Sequence, residues 1–329
     1  MDHNIDRRGF LKSIPLAAAS FSGGVAAAVH AAGGDAPGAA ATPGAKPFVN
    51  PRKVLLRENT RKEIREWIES GQLQAAILPA GSIEQHNEHM AMDSDIVIST
   101  LIAQQVALEL YPQVIVAPPS PCGYSPYHMN RKGTVTLRKE TFQAYLFDVL
   151  SSLKAHGIRT LFVLNGHGGN HDPMMEALPE WRRALGGTVD ADSYFRAHTR
   201  EFLKQLIGTS SHTSHAGILE TSMYMAAFPE RLRYFTLKEY DDAKLDYESG
   251  FSPYLQEFLS RDARSRPTRL PGENFRDRER QVEALRATRQ IGEALITKAT
   301  SVSVEKLRKM IAATVAGQPW PPPAKQAGG

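Results

Sequence analysis

"QAAILPAGSIEQHNEHMAMDSD", residues 74–95, decides how the rest of the chain is read. Its first third is a short apolar run closed by Pro79 and Gly81, the pattern of a strand buried on both faces of a parallel sheet. Beyond Gly81 the chain crowds Glu84, His86, Glu88, His89, Asp93 and Asp95 into one stretch. In open α/β sheets, ligands bind beyond the carboxyl ends of the strands, which is where this polar stretch falls. Glu84 and His86 are two apart, so on an extended segment both point to one side while Gln85 points away. Asp95 arrives as "DSDIVIST" opens a helix; Asp93 or Ser94 is expected to cap it, with Asp95 at its positive end.

The same alternation continues outward. "QVIVAPP" (113–119) and "RTLFVLNGHGGN" (159–170) are further apolar runs ending in Pro, Gly or Asn. Between the runs, "DIVISTLIAQQVALEL" and "ETFQAYLFDVLSSLKAHG" carry helical periodicity; Phe142, Leu146, Val149 and Leu153 form the stripe of the second, and Gly157 closes it. Strands alternating with helices predict an α/β layer fold with a mostly parallel sheet. His167, in "NGHGGN", ends a strand expected close to the first, among glycines that let backbone approach an ion or a substrate. On the residues alone two readings stay open, a solvated polar loop and a His/carboxylate metal site. Residues 260–289 read as a charged surface loop leading into a helix, and "SVEKLRKMIAATV" (303–315) as another helix, both packing or solvated faces.

With 329 residues, 42% hydrophobic and 22% charged, the chain can bury a large core. A net charge of only +4, with acids and bases interspersed, makes nucleic acid an unexpected partner. One cysteine, Cys122, excludes an internal disulfide and a thiolate cluster. At the N-terminus, Arg7 and Arg8 precede "GFLK" and a weakly apolar Ala/Gly/Ser run interrupted by Pro15. This resembles a twin-arginine export signal over residues 1–32, too weakly apolar for a stable membrane anchor. The expected organisation is that signal, a Gly/Ala/Pro-rich spacer over 33–50, a catalytic domain over 51–315 and a disordered tail over 316–329. The expected location is periplasmic or secreted, reached through the twin-arginine translocation machinery.

Several separated motifs, in order, resemble one family. "GSIEQHNEHMAMDSD", "KGTVTL" (132–137), "NGHGGN", "SHAGILETS" (214–222) and "FPERLR" are similar to segments of the creatininase family of metal-dependent amidohydrolases, over roughly residues 53–300. The resemblance implies a creatininase-like α/β/α sandwich, a homo-oligomer that is often a hexamer, and two divalent ions, Zn, Mn or Fe, at the carboxyl end of the sheet. Carried over by position, Glu84 and His167 bind one ion, His86 the other, and Asp95 bridges them. Two ions about 3.5–4 Å apart can share a water and bring its pKa toward neutrality. The resulting hydroxide would attack an amide carbonyl, with His215 protonating the departing nitrogen. His89, His128, Tyr194, Gly168 and Gly169 are the expected substrate-facing residues.

Two departures from creatininase matter. Where creatininase carries a ligand glutamate two residues beyond the histidine of its N-G-H segment, this chain has Gly169; Glu220 is the candidate for the remaining ligand or for a catalytic role, its alternative being a hydrogen bond to a ligand. The tryptophans that close creatininase over its substrate have no counterpart, since Trp67, Trp181 and Trp320 lie elsewhere and Tyr194-Phe195 is the nearest aromatic pair. Creatinine is therefore not the expected substrate. The expectation is a hydrolase cleaving a small-molecule amide or lactam; the alternatives are a deformylase or peptidase of the same family, or a non-catalytic periplasmic binding protein.

Overall fold

The computed structural model describes residues 53–129, 131–212, 215–233 and 277–322. The signal at 1–32, the spacer at 33–50, the proposed domain start at Pro51 and the charged stretch 260–276 lie outside the described residues.

Helix α1 (Arg61–Glu69) begins with a capping box in which Thr60 and Glu63 exchange side-chain and backbone hydrogen bonds. Strand β1 (Ala75–Ala80), helix α2 (Ser94–Glu109), strand β2 (Val114–Val116), helix α3 (Lys139–Ala155) and strand β3 (Thr160–Asn165) come next in that order. Helix α4 (His171–Leu185), strand β4 (Thr188–Ser193) and helices α5 (Arg200–Ile207), α6 (Ile218–Ala227), α7 (Asp277–Ala284) and α8 (Arg289–Val315) complete it. The four strands form one parallel sheet in the order β2-β1-β3-β4.

Period-two alternation along the strands divides the core into two layers. Ala75 and Ile77 of β1, with Phe162 and Leu164 of β3, face α2, α6 and α8. Ala76, Leu78 and Ala80, with Leu161 and Val163, face α1, α3 and α4. Because both faces are buried, β1 and β3 had to be continuously apolar, as they read. The result is the expected α/β/α sandwich.

Four details differ from the sequence reading. β4, "TVDADS", is not among the apolar runs: only Val189 and Ala191 face the core, while Asp190 and Asp192 alternate with them. On α3, Leu150 rather than Val149 completes the buried stripe with Phe142, Leu146 and Leu153. Neither Asp93 nor Ser94 caps α2 with its side chain; Asp93 instead receives Arg231 at 2.8 Å and the Tyr224 hydroxyl at 3.1 Å. Residues 316–322, expected within a disordered tail, are placed, and the Trp320 indole donates to Asp190 at 3.0 Å; 323–329 lie outside the described residues.

Candidate metal centre

Two glycines bring the site together. A Cβ at Gly81, just past β1, would collide with the backbone of Asp95 and Ile96, and one at Gly166, just past β3, with the Asp95 carbonyl. Without side chains there, the first turn of α2 seats between the two strand ends, and Asp95 arrives between Glu84 and His167. Asparagines fasten these ends. Asn165 holds both backbone groups of His167, accepting from its N–H at 3.0 Å and donating to its carbonyl at 2.6 Å. Asn170 accepts from Tyr124 N–H at 2.8 Å and donates to the Gly81 carbonyl at 3.0 Å.

The polar groups converge on Asp95. His86 Nε2 lies 3.2 Å from Asp95 Oδ1 and 3.6 Å from Glu220 Oε2. His167 Nδ1 lies 3.0 Å from Asp95 Oδ2 and 3.2 Å from Glu84 Oε1. The far nitrogens of both rings face backbone carbonyls: His86 Nδ1 that of Glu84 at 3.1 Å, and His167 Nε2 that of Tyr124 at 3.1 Å. A carbonyl only accepts, so each ring keeps one proton there, and when neutral it turns a lone pair toward Asp95.

Between each such nitrogen and the oxygen it faces, either a proton on the ring or a metal ion must sit. His86 Nε2 and Asp95 Oδ2 are both buried without a hydrogen-bond partner, although the rings are close. Donor separations of 3.0–3.6 Å are those of ligands sharing an ion at about 2.0–2.2 Å. The residues present therefore fit divalent metal: Glu84, His86 and Asp95 offer ligand atoms within 4.8 Å of one another, as do His86, His215 and Glu220, and His167 adjoins Glu84 and Asp95.

The electrostatics agree with the geometry. Burial would lower His86, yet Asp95, then Glu220 and Glu84, raise it to about 10. His167 is likewise held well above its ordinary value against burial by Glu84 and Asp95. Burial pushes Glu84 up, but His167, His128 and His215 outweigh it and hold the carboxyl well below its usual range. Burial raises Glu220 to about 7, opposed by His86. The pocket draws positive charge to the space around Asp95.

A third histidine repeats the orientation. His215 Nε2 is 2.7 Å from the Gln85 carbonyl, so Nδ1 carries the lone pair and faces Glu84 Oε1 at 3.4 Å. Its ring stacks on that of His128 at 4.5 Å and lies tilted against that of His86 at 4.4 Å. Burial, then His86 and His128, hold His215 well below its ordinary pKa, so it is a neutral base. Gln85, expected to point away, instead brings its amide 3.2 Å from His128 Nδ1 and 3.0 Å from His215 Nε2.

Glu84, Asp95, His167, His215 and Glu220 floor a cavity of about 490 Å³ that His86 does not line. Of the residues expected to face a substrate, His128, Tyr194 and Gly168 line the cavity and Gly169 and His89 do not. His89 is buried, its Nε2 2.8 Å from the Thr221 hydroxyl. None of the three tryptophans reaches the cavity. Sequence reasoning missed Tyr127, His198 and His212, and read Arg280 as part of a solvated face, although all four line the cavity. Only the clustering of histidines between 198 and 215 could have flagged two of them.

A family model described as creatinine amidohydrolase matches residues 57–316. The chain belongs to the creatininase family. Among curated relatives, a mycofactocin precursor peptide peptidase from Mycobacterium ulcerans is 31% identical over 161 residues, 47% of this chain and 58% of the relative. A 3-dehydro-scyllo-inosose hydrolase from Thermotoga maritima is 31% identical over 185 residues, 55% of this chain and 58% of the relative. These matches thus span little more than half the length of either relative. A solved mutant creatininase of type II superposes with a TM-score of 0.61 at 25% identity, over 78% of this chain and 98% of that one. A zinc–zinc form of a mutant creatininase gives 0.58 at 24% identity, over 78% and 98%.

The departure from creatininase at Gly169 has a steric reason. A Cβ there would run into the Tyr127 hydroxyl and meet the Tyr124 carbonyl at 2.6 Å and His167 Nε2 at 2.7 Å. Tyr127, whose hydroxyl lies 3.1 Å from His167 Nε2, occupies the space that any side chain at 169 would need.

Proposed function

We propose that this protein is a metal-dependent amidohydrolase with a two-ion centre. Glu84 and His167 hold one ion, His86 and Glu220 the other, and Asp95 bridges them. The observation that carries the proposal is the pair of bare histidine nitrogens aimed at the two oxygens of one buried, incompletely paired aspartate. Relatives solved in a zinc–zinc form and in a manganese form support divalent ions, of either element.

When bound, such ions supply a hydroxide at neutral pH and polarise a carbonyl oxygen. The chain's own groups do the rest. Glu84 is fixed by Ser125, whose hydroxyl donates to Oε2 at 2.5 Å, leaving Oε1 toward His167. His215, neutral and anchored at Nε2, takes a proton at Nδ1 and returns it from the same atom to the leaving nitrogen. In the net reaction water adds across the amide: its oxygen joins the acyl carbon, the C–N bond breaks, and a proton reaches the amine.

The absence of tryptophan from the cavity argues against creatinine, and the relative named as a peptide peptidase supports a peptide bond within the amide class. Export through the Arg7-Arg8 signal to the periplasm, and a hexameric homo-oligomer, belong to the same proposal and rest on sequence resemblance. The deciding experiment is elemental analysis of the purified chain beside amide hydrolysis: two equivalents of Zn, Mn or Fe, with turnover that chelation removes and metal restores. A single equivalent, or turnover indifferent to chelation, would exclude the two-ion reading.

A further inference from the structure

The cavity has two ends of different character. Its floor holds Glu84, Asp95 and Glu220, the only acids that line it among the described residues. Its walls include Phe195, Leu203, Leu219 and Met223, and its single lysine or arginine among the described residues is Arg280. Resting on the two-ion reading, the ions' four positive charges would be offset by three carboxylates and the hydroxide, so the loaded floor is close to neutral and Arg280 tips the lining toward positive. A cationic substrate is disfavoured there and an anionic one is drawn in.

Arg280 is held on a packed element. Helix α7, which carries it, packs on α6, the helix of Glu220, and the backbone N–H of Thr288 beyond α7 donates to Ser222 Oγ at 3.1 Å. The guanidinium carries five donors in a fixed fork, so it can hold a carboxylate through two of them while serving a protein partner with another. It lines one cavity with His128 and with His215, the residue that hands a proton to the departing nitrogen, and a group bound by Arg280 is assigned to the leaving amine. His212 adds a second polar atom to the lining, its Nδ1 buried without a partner.

We propose that the leaving group is an amino acid, its apolar side chain against Phe195, Leu203, Leu219 and Met223 and its free carboxylate on Arg280, so that the substrates are N-acyl amino acids or peptides cut before a C-terminal residue. The volume of about 490 Å³ suits such a molecule. For N-acetyl-L-phenylalanine the products are acetate and L-phenylalanine, with one water consumed.

The test uses the metal-loaded full chain and two amides, N-acetyl-L-phenylalanine and N-acetyl-2-phenylethylamine, which lacks only the carboxylate. The parent should prefer the acid by about 10- to 100-fold in kcat/KM, the size of a charge-assisted hydrogen bond. Arg280→Gln should collapse that ratio, and Arg280→Lys should keep part of it with KM raised more than kcat. Calorimetry with 3-phenylpropanoate and 3-phenylpropan-1-ol gives a readout without turnover: the acid should bind the parent more tightly than the alcohol, and Arg280→Gln should erase the difference. Equal cleavage of both amides by the parent, or a carboxylate preference that survives Arg280→Gln because the ions hold it, would overturn the proposal while leaving the amidohydrolase reading intact. No cleavage of either amide, with binding of 3-phenylpropanoate still dependent on Arg280, would leave the anion site and remove the hydrolase. Should Arg280→Gln fail to fold, Arg280→Lys decides by the same ratio.

Discussion

Two clusters of acids serve the same sheet and are built by opposite rules. Along β4, Asp190 accepts from Arg182 at 2.8 Å, Lys306 at 3.1 Å and the Trp320 indole at 3.0 Å. Its neighbour Asp192 receives Lys306 at 3.0 Å and Arg196 at 3.3 Å. Each carboxylate there has permanent cations from the chain itself, and Lys306 also lies over the Phe162 ring at 5.3 Å. At the ends of β1 and β3, Glu84, Asp95 and Glu220 have only histidines for charge partners among the described residues, and two of the facing atoms are unpaired. The first cluster is finished by folding. The second is finished only by something added, and that incompleteness separates a site from a fastening.

The sharpest way to break this contrast is to remove the central acid of each cluster. Asp95→Ala should lose both ions and lower amide turnover by at least about a thousandfold, since it withdraws the one ligand common to both positions. Full metal occupancy in Asp95→Ala would remove the bridging assignment. His86→Ala, which touches one position, should lose mainly one equivalent by elemental analysis.

His215→Ala comes next in size. Turnover should fall on the order of a hundredfold, with both ions and the melting temperature kept. The loss should shrink for an activated anilide or aryl ester, whose leaving group departs without a proton. An equal loss across leaving groups, with a lowered melting temperature, would make His215 a packing residue.

Asp190→Ala should do the reverse of Asp95→Ala. It removes the acceptor of Arg182, the Trp320 indole and the Ala191 N–H, while Lys306 keeps Asp192, so stability should drop by roughly 1–3 kcal/mol, several degrees in melting temperature, with metal content and turnover per ion unchanged. Loss of metal in this variant would show that the β4 cluster supports the site rather than the sheet.

The difference between the clusters also explains what was legible. β1 and β3 announced themselves because both faces of each are apolar, and the resemblance carried Glu84, His86, Asp95 and His167 to positions that the two glycines then bring together. β4 hid because Asp190 and Asp192 interrupt its apolar run, and the lysine and arginines that justify them are remote or on other elements. Arg280 hid for the opposite reason, as one cation in a stretch dense with charge, where only the fold distinguishes the side chain that turns inward. Likewise the reason for Gly169 lies in Tyr127, forty-two positions away in the chain.

The smallest effect sharpens the comparison within one residue type. His86 and His198 are both buried, but acids raise His86 to about 10, whereas burial lowers His198 to about 4. His198 Nε2–H donates to the Leu295 carbonyl at 3.0 Å, so its neutral form is satisfied by the fold. The folded value lies below the unfolded 6.5, so the unfolded chain binds the proton first, and by linkage stability falls as pH drops from about 6.5 toward 4. Above 6.5 both states are neutral there and His198 adds no pH dependence. At pH 5 the loss should be about 2 kcal/mol, from a gap of about one and a half pH units at 1.36 kcal/mol each. His198→Gln keeps a donor for the Leu295 carbonyl without a titrating ring, so denaturant titrations at pH 7 and pH 5 should show a smaller difference than in the parent. An undiminished difference would assign the acid sensitivity to other groups and leave His198 without the neutral, fold-satisfied role that sets it apart from His86.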